Sequence, residues 1–299
     1  MPSKSSLYSI LPFVTFLSAI GSYLFYSEYT LYHFPLDDAW IHRVYSRSFA
    51  FGHGFSYNAG TQEAGSTSPL WSILTSPVEW FAYVFGTSPV TGIKFIGIVS
   101  GALVLYLIIQ VGHVVDLPPD VSVLTAILFS VEPGFLFSVL SGMETVLVLV
   151  LWMLMVLLLL REKFLLSALV AGFLVTTRPE AILCIPCLLA VMFFSMARQK
   201  RLRSFYGAIP VSIAPALCWS LFCKFSNGHW LPNTFYVKAT SFSVSAKRLS
   251  LTWEILTQHG YLSLPVVGLI LFLCANYWLL SKRNRNRLYL ALFFFLHSA

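Results

Sequence analysis

The sequence predicts an all-α, polytopic integral membrane protein, and three observations carry that prediction. The 299 residues are 57% hydrophobic and only 10% charged, with a mean hydropathy of +0.76, which is more apolar surface than a soluble domain of this size can bury. The apolar residues fall in successive runs close to the roughly 20 residues that cross a bilayer as a helix. The basic residues sit in short clusters between those runs. The net charge of +7 therefore reads as orientation in a membrane, not as one basic face for nucleic acid.

Leu7–Phe25 is the first run; no small-residue cleavage site follows it, so it reads as a retained anchor with its N-terminus in the cytoplasm. Residues 29–68 form an extracytoplasmic polar stretch holding Asp37, Asp38, His42, Arg43, Arg47, His53 and Glu63. Within it Ala39–Phe51 has a helical pattern, with Trp40, Val44 and Arg47 on one side and Asp38 and His42, four apart, on another. This predicts a helix lying at the membrane surface, ended by Gly52-His53-Gly54. Pro69–Phe85 is apolar but short, contains Pro77 and Glu79, and reads as interfacial or re-entrant. The later spans are Thr91–Val115, Val121–Leu140, Val146–Leu160, Phe164–Ala197 in two halves, Phe205–Phe225 and Leu262–Leu280. A last apolar run begins at Leu288 and stops at Ala299, too short to span, so the expectation is one domain over 1–299 that is incomplete at its C-terminus. The five cysteines lie in apolar runs. Cys184 and Cys187 form a C-x-x-C without the βαβ context of a redox motif.

The positive-inside rule places three basic clusters in the cytoplasm: Arg161 and Lys163; Arg198, Lys200, Arg201 and Arg203; Lys282, Arg283, Arg285 and Arg287. Four polar motifs then face the opposite side. They are Asp37-Asp38, Ser141-Gly142-Met143-Glu144, Thr177-Arg178-Pro179-Glu180, and Leu231-Pro232-Asn233-Thr234-Phe235-Tyr236-Val237-Lys238.

Each motif admits a structural and a chemical reading. Asp37 is placed to cap the helix that follows; paired with Asp38 it is also placed to take a proton from an acceptor hydroxyl, with the second carboxylate orienting the acceptor or holding a metal. Glu144, after a Ser-Gly break, suits a helix N-terminus. Arg178 and Glu180 flank Pro179 inside an apolar run, where ionised groups face a cavity or one another; an Arg there can grip phosphate in a bidentate way. Asn233, Tyr236 and Lys238 read as outer-loop residues, Lys238 suited to a phosphate and Tyr236 to stacking on a sugar or prenyl unit. His113, His229 and His259 have no ligand spacing, and the chain has no Walker glycine loop or Rossmann glycine fingerprint.

The run Asp37-Asp38-Ala39-Trp40-Ile41 with Arg43 and Tyr45, then Gly52-His53-Gly54-Phe55-Ser56-Tyr57-Asn58-Ala59-Gly60 and Gly65-Ser66-Thr67-Ser68-Pro69-Leu70-Trp71, resembles the first outer loop of bacterial GT-C glycosyltransferases. The later Ser-Gly-Met-Glu-Thr, Arg-Pro-Glu and Pro-Asn-Thr-Phe-Tyr-Val-Lys segments are similar, in identity and order, to the branch with terminal arabinofuranosyltransferases. The resemblance covers about residues 30–240. It implies a multi-pass enzyme of the cell membrane that passes a sugar from a polyprenyl-phosphate donor to a glycan, lipid or protein acceptor on the extracytoplasmic face. Membrane lipid surrounds it and nucleic acid is not a partner. By similarity Asp37 or Asp38 is the base. His42, Arg43, Glu144, Arg178, Glu180, Asn233, Tyr236 and Lys238 bind substrate, with Arg178 and Lys238 on phosphate. Adjacent Asp residues are compatible with a divalent cation; a metal requirement stays unknown, and no other cofactor is implied. The other readings of the sequence are a truncated, inactive remnant or binding scaffold, and a transporter or flippase of lipid-linked sugar.

Overall fold

The structure is a computed structural model, and it describes residues 4–26, 32–58, 61, 63–198 and 202–240. The runs expected at Leu262–Leu280 and from Leu288, and the basic cluster Lys282–Arg287, lie outside the described residues, as do Lys200 and Arg201. The chain divides into two units, Met1–Asn233 and Thr234–Ala299.

Every regular element among the described residues is helical. In order they are α1 (Lys4–Tyr26), α2 (Asp37–Ala50), α3 (Pro69–Phe85), α4 (Pro89–Val114), α5 (Pro119–Ser130), α6 (Pro133–Leu140), α7 (Thr145–Leu160), α8 (Phe164–Thr177), a 3-10 turn (Pro179–Leu183), α9 (Cys184–Arg198), α10 (Leu202–Asn227) and α11 (Asn233–Thr240). Among the described residues two segments, Pro89–Val114 and Phe205–Asn227, are long and apolar enough to cross a membrane. A third span exists if α5 and α6 count as one, although their axes bend by 64°.

That bend divides the run expected as one span over Val121–Leu140. Pro133 has no N–H to continue the helix, and the Glu132 carboxylate caps α6 instead, accepting from Gly134 N at 2.9 Å and from Phe135 N. A second break falls inside Phe164–Ala197, as its division into halves required. Pro179 disfavours helical geometry at the residue before it, and Arg178 is extended there (φ −142°, ψ 114°).

Packing runs α1 on α5, α4 on α5 and α7, α7 on α8, and α8 on α10. The main core joins α1, α4, α6 and α7 through Phe16, Val104, Leu105, Val139, Leu140 and Val146. Small residues allow the closest approaches. A Cβ at Gly172 of α8 would meet Pro215 Cδ and the Ser212 carbonyl oxygen of α10 at 2.6 Å.

At one end of this bundle α2 packs on α3, and both helices turn polar residues inward. On α3 Ser72, Thr75, Ser76 and Glu79 are buried while Ile73, Leu74, Trp80, Phe81, Val84 and Phe85 are exposed. This is the inverse of a helix on a water-facing surface, and it suits a hydrocarbon surround.

Gly172→Val is expected to force α8 and α10 apart and to destabilise the fold by about 1–3 kcal/mol. A lower thermal unfolding midpoint in detergent would show this; an unchanged midpoint would mean the two helices are not in contact at that residue.

Candidate functional site: a buried carboxylate between a histidine and an arginine

The site grows from α2. Its backbone is helical from Asp37, with Leu36 in the cap position and no side-chain cap, so neither aspartate is spent as a cap. Both are exposed in the first turn, where the helix dipole favours negative charge. The buried side of the helix carries Ala39, His42 and Ser46, at helical spacing of three and four. Trp40 and Val44 are only half-buried and Arg47 is exposed. The polar stripe, not the apolar one, is therefore the packed face.

α3 supplies the partners for that face. Ser46 and Thr75 share a hydrogen bond, and Arg43 Nε donates to Glu79 Oε1 at 2.9 Å, with Glu79 only 4% exposed. The Arg43 guanidinium also lies over the Trp40 ring, 5.6 Å from its centroid. Glu79 thus has a partner in the polar stretch preceding its own apolar run, as burial of a charge requires. The signal was present in the sequence, since a carboxylate in an apolar run and an Arg in the adjoining stretch are natural partners.

His42 meets Glu144, which sits just ahead of α7. The Glu144 side chain is 3% exposed, and each of its oxygens faces a nitrogen-bearing side chain from a different segment. Oε2 lies 2.9 Å from His42 Nε2, and Oε1 lies 2.7 Å from Arg178 Nε. Glu144 occupies the cap position of α7 but makes no side-chain cap bond. Burial pushes its carboxyl up, and the His42 bond and charge together with Arg178 outweigh that effect and hold it below the ordinary carboxylate range. The contact with His42 is at ion-pair distance, and both Glu144 Oε2 and His42 Nδ1 are buried with no hydrogen bond among the described residues.

Further bonds lock the same segments. Ser141 Oγ accepts from Met143 N at 3.1 Å, and Gly142 takes a left-handed conformation (φ 78°) with the Phe34 ring where a Cβ would go. The Gly142 carbonyl accepts from Trp71 Nε1 at 3.0 Å, and Ser68 Oγ donates to the Thr177 carbonyl at 2.8 Å. The Gly65–Trp71 stretch is therefore bolted both to the residues before Glu144 and to the residue before Arg178. On its other side the Ala64 carbonyl accepts from Asn233 N at 3.2 Å, and Asn227 Nδ2 donates to Asn233 Oδ1 at 2.8 Å. These links through Trp71, Ser68 and Asn227 have no charge or spacing signature in the sequence.

The structure thus brings together His42, Glu144 and Arg178, with Arg43 one residue away on Glu79. Arg178 does not pair with Glu180, which is exposed; an extended Arg178 turns to Glu144 instead. Asn233 joins Ala64 and Asn227, and Asn233–Thr240 is helical rather than looped, Pro232 preceding the helix start. Tyr236 belongs to the second unit, where it is exposed, and the side chain of Lys238 lies outside the described residues.

Beside this cluster lies an apolar groove of about 450 Å³, walled by Leu70 and Ile73 of α3, Phe173 and Thr176 of α8, and Pro215 and Trp219 of α10. Its wall reaches Thr176, two residues before Arg178. A side of the Arg178 chain remains open, 41% exposed. Among the described residues no three His, Cys, Asp or Glu side chains are grouped so as to hold a metal ion. Asp37 and Asp38, as successive helical residues, do not face each other, so the pair does not form a closed cation site.

No protein-family model matches the chain, and comparison with curated proteins and with solved structures finds no match.

Glu144→Gln is expected to cost about 1–3 kcal/mol at neutral pH, because it removes a charged acceptor from two bonds. Since the folded-state pKa of Glu144 is depressed, its contribution is present above the unfolded pKa and is lost as pH falls through the folded one. The gap in unfolding midpoint between wild type and Glu144→Gln should therefore hold from pH 7 to about 5 and narrow only as pH falls below the ordinary carboxylate value of 4.5. A gap that is constant with pH would contradict an ionised Glu144 in the fold.

Proposed function

We propose that the chain is a membrane glycosyltransferase that moves a sugar from a polyprenyl-phosphate donor to a glycan, lipid or protein acceptor on the extracytoplasmic face of the cell membrane. The observation that carries the reading is Arg178, held at Nε by buried Glu144 and partly exposed, next to an apolar groove. An amphiphile with an anionic head and an apolar tail matches that pairing of surfaces. The first-loop resemblance supplies the reaction class.

The sidedness rests on α7. Glu144 lies at its start and Arg161 at its end, where Arg161 Nη2 donates to Gln110 Oε1 of α4 at 2.8 Å. The 16 residues of α7 separate the two ends by about 24 Å, short of a full span, and α7 packs on α4, which is long enough to cross. With the basic turn Arg161–Lys163 in the cytoplasm, the Glu144 cluster faces outward, together with Asp37 and Asp38.

The prenyl chain lies in the groove between α3, α8 and α10, and the phosphate meets the outer edge of the Arg178 guanidinium. Asp37 or Asp38, exposed at the α2 N-terminus, takes the proton of the acceptor hydroxyl. The acceptor oxygen bonds to the anomeric carbon, the bond from that carbon to the phosphate oxygen breaks, and the phosphate leaves with the bonding pair. Arg178 offsets the charge that develops there. His42 and Arg43 hold the geometry from behind, through Glu144 and Glu79.

The test is transfer of radiolabelled sugar from a panel of polyprenyl-phosphate donors by membranes containing matched amounts of wild type, Asp37→Asn, Asp38→Asn and Arg178→Ala. Wild type should label an acceptor, and loss of the base should lower the rate about 10²–10⁴-fold in one aspartate variant. Transfer that is untouched by all three substitutions would refute the assignment of this cluster. An absence of transfer from every donor would refute the reaction class.

A further inference from the structure

We infer that His42 is the proton-accepting residue that compensates charge at the phosphate during transfer, acting through Glu144 as a positioning residue and not by touching substrate. The inference rests on the glycosyltransferase reading above. A donor phosphodiester carries one negative charge, whereas the phosphate monoester that departs carries close to two, its second pKa lying near 6. A site walled by apolar residues does not accept an added charge without a counter-charge. Of the three members of the cluster, Arg178 stays cationic and Glu144 is an anion shared between two partners. Only His42 has a side chain whose charge ordinarily changes near neutral pH.

The geometry allows that change without rearrangement. His42 is 6% exposed. Its Nε2 lies 2.9 Å from Glu144 Oε2, within ion-pair distance, and its Nδ1 has no hydrogen-bond partner among the described residues. A second proton goes to Nδ1, which has no other partner among the described residues, and the Glu144 contact survives. With His42 neutral, Arg178 alone balances Glu144; with His42 cationic, the pair His42–Glu144 is neutral and the Arg178 charge is free to face phosphate.

The charged groups around His42 fit this role. On its own helix Asp38 stands one turn toward the exposed end, with Cβ atoms about 5–6 Å apart at that spacing, beside Asp37, while Arg43 is committed to Glu79 of α3. From α7 comes Glu144, from the end of α8 Arg178, and near the start of α4 Lys94 donates to the His33 carbonyl at 2.8 Å. Protons balance within the reaction itself. The proton leaves the acceptor hydroxyl for the aspartate base and ends on His42, while the phosphate keeps the electron pair of the broken bond. No further reactant is needed.

The test uses the full chain in detergent with farnesyl phosphate as probe, titrated calorimetrically at pH 7.5 in two buffers of different ionisation enthalpy. The probe is almost wholly dianionic at that pH, so proton uptake belongs to the protein. Wild type should bind and take up a measurable fraction of one proton. His42→Gln should bind roughly fivefold or more weakly and take up none, while Asp38→Asn should still take one up. If His42→Gln does not fold, the imidazole ¹⁵N signals of wild type give the same answer: one histidine should pass from neutral to doubly protonated when the probe is added. Binding that is lost in Arg178→Ala but carries equal or no proton uptake in wild type and His42→Gln would overturn the role of His42 and leave the phosphate site standing. No binding by wild type would overturn both.

Discussion

A carboxylate buried to 3% exposure has to be paid for by its neighbours, and Glu144 obtains that compensation from two segments far away in sequence. His42 comes from α2 and Arg178 from the end of α8, so one side chain fixes three parts of the chain relative to each other. Losing either partner would leave a buried charge under-compensated, which is more costly than never having made the pair. The surrounding bonds follow the same logic. Trp71 to Gly142 and Ser68 to Thr177 tie the first polar stretch to the residues on either side of the ionic cluster. The cluster is thereby held by backbone as well as by charge.

The helices that carry this centre reverse the usual distribution of polarity. α3 hides Ser72, Thr75, Ser76 and Glu79 and exposes Trp80, Phe81, Val84 and Phe85, while α2 hides His42 and Ser46. Such an arrangement is stable where the surroundings are apolar, because hydroxyls and charges then have partners only inside the protein. It also explains why an apolar groove can adjoin an ionic cluster. The groove is walled by apolar side chains, and its wall ends at Thr176, two residues before Arg178.

Much of this fold was legible in the sequence because hydropathy runs and prolines act locally. Pro179 divides the α8–α9 run, Gly52 and Gly54 end α2, and Pro69–Phe85 is a short helix as expected. The break at Glu132-Pro133 was less legible, since Val121–Leu140 is apolar on both sides of it and the cap that makes it is a side-chain bond. In the candidate site, residue identity pointed to His42, Glu144 and Arg178 as members of separate motifs. Their pairing did not follow from spacing: Arg178 has Glu180 two residues away, yet bonds Glu144 more than thirty residues back. Pro179 is the reason. It holds Arg178 extended at the helix end and directs its side chain toward α7, leaving Glu180 to the surface. On α2 the packed face was equally hard to read, because it mixes Ala39 and Tyr45 with His42, Ser46 and Ser48.

The measurement that tests the account most directly is a pair of double-mutant cycles on unfolding stability, Glu144→Gln with His42→Gln and Glu144→Gln with Arg178→Gln, against a control cycle of Arg178→Gln with Glu180→Gln. Shared contacts should give coupling energies of about 0.5–3 kcal/mol in the first two cycles and near additivity in the control. Additivity in the Glu144 cycles, or strong coupling between Arg178 and Glu180, would contradict the claim that one buried carboxylate joins the three segments.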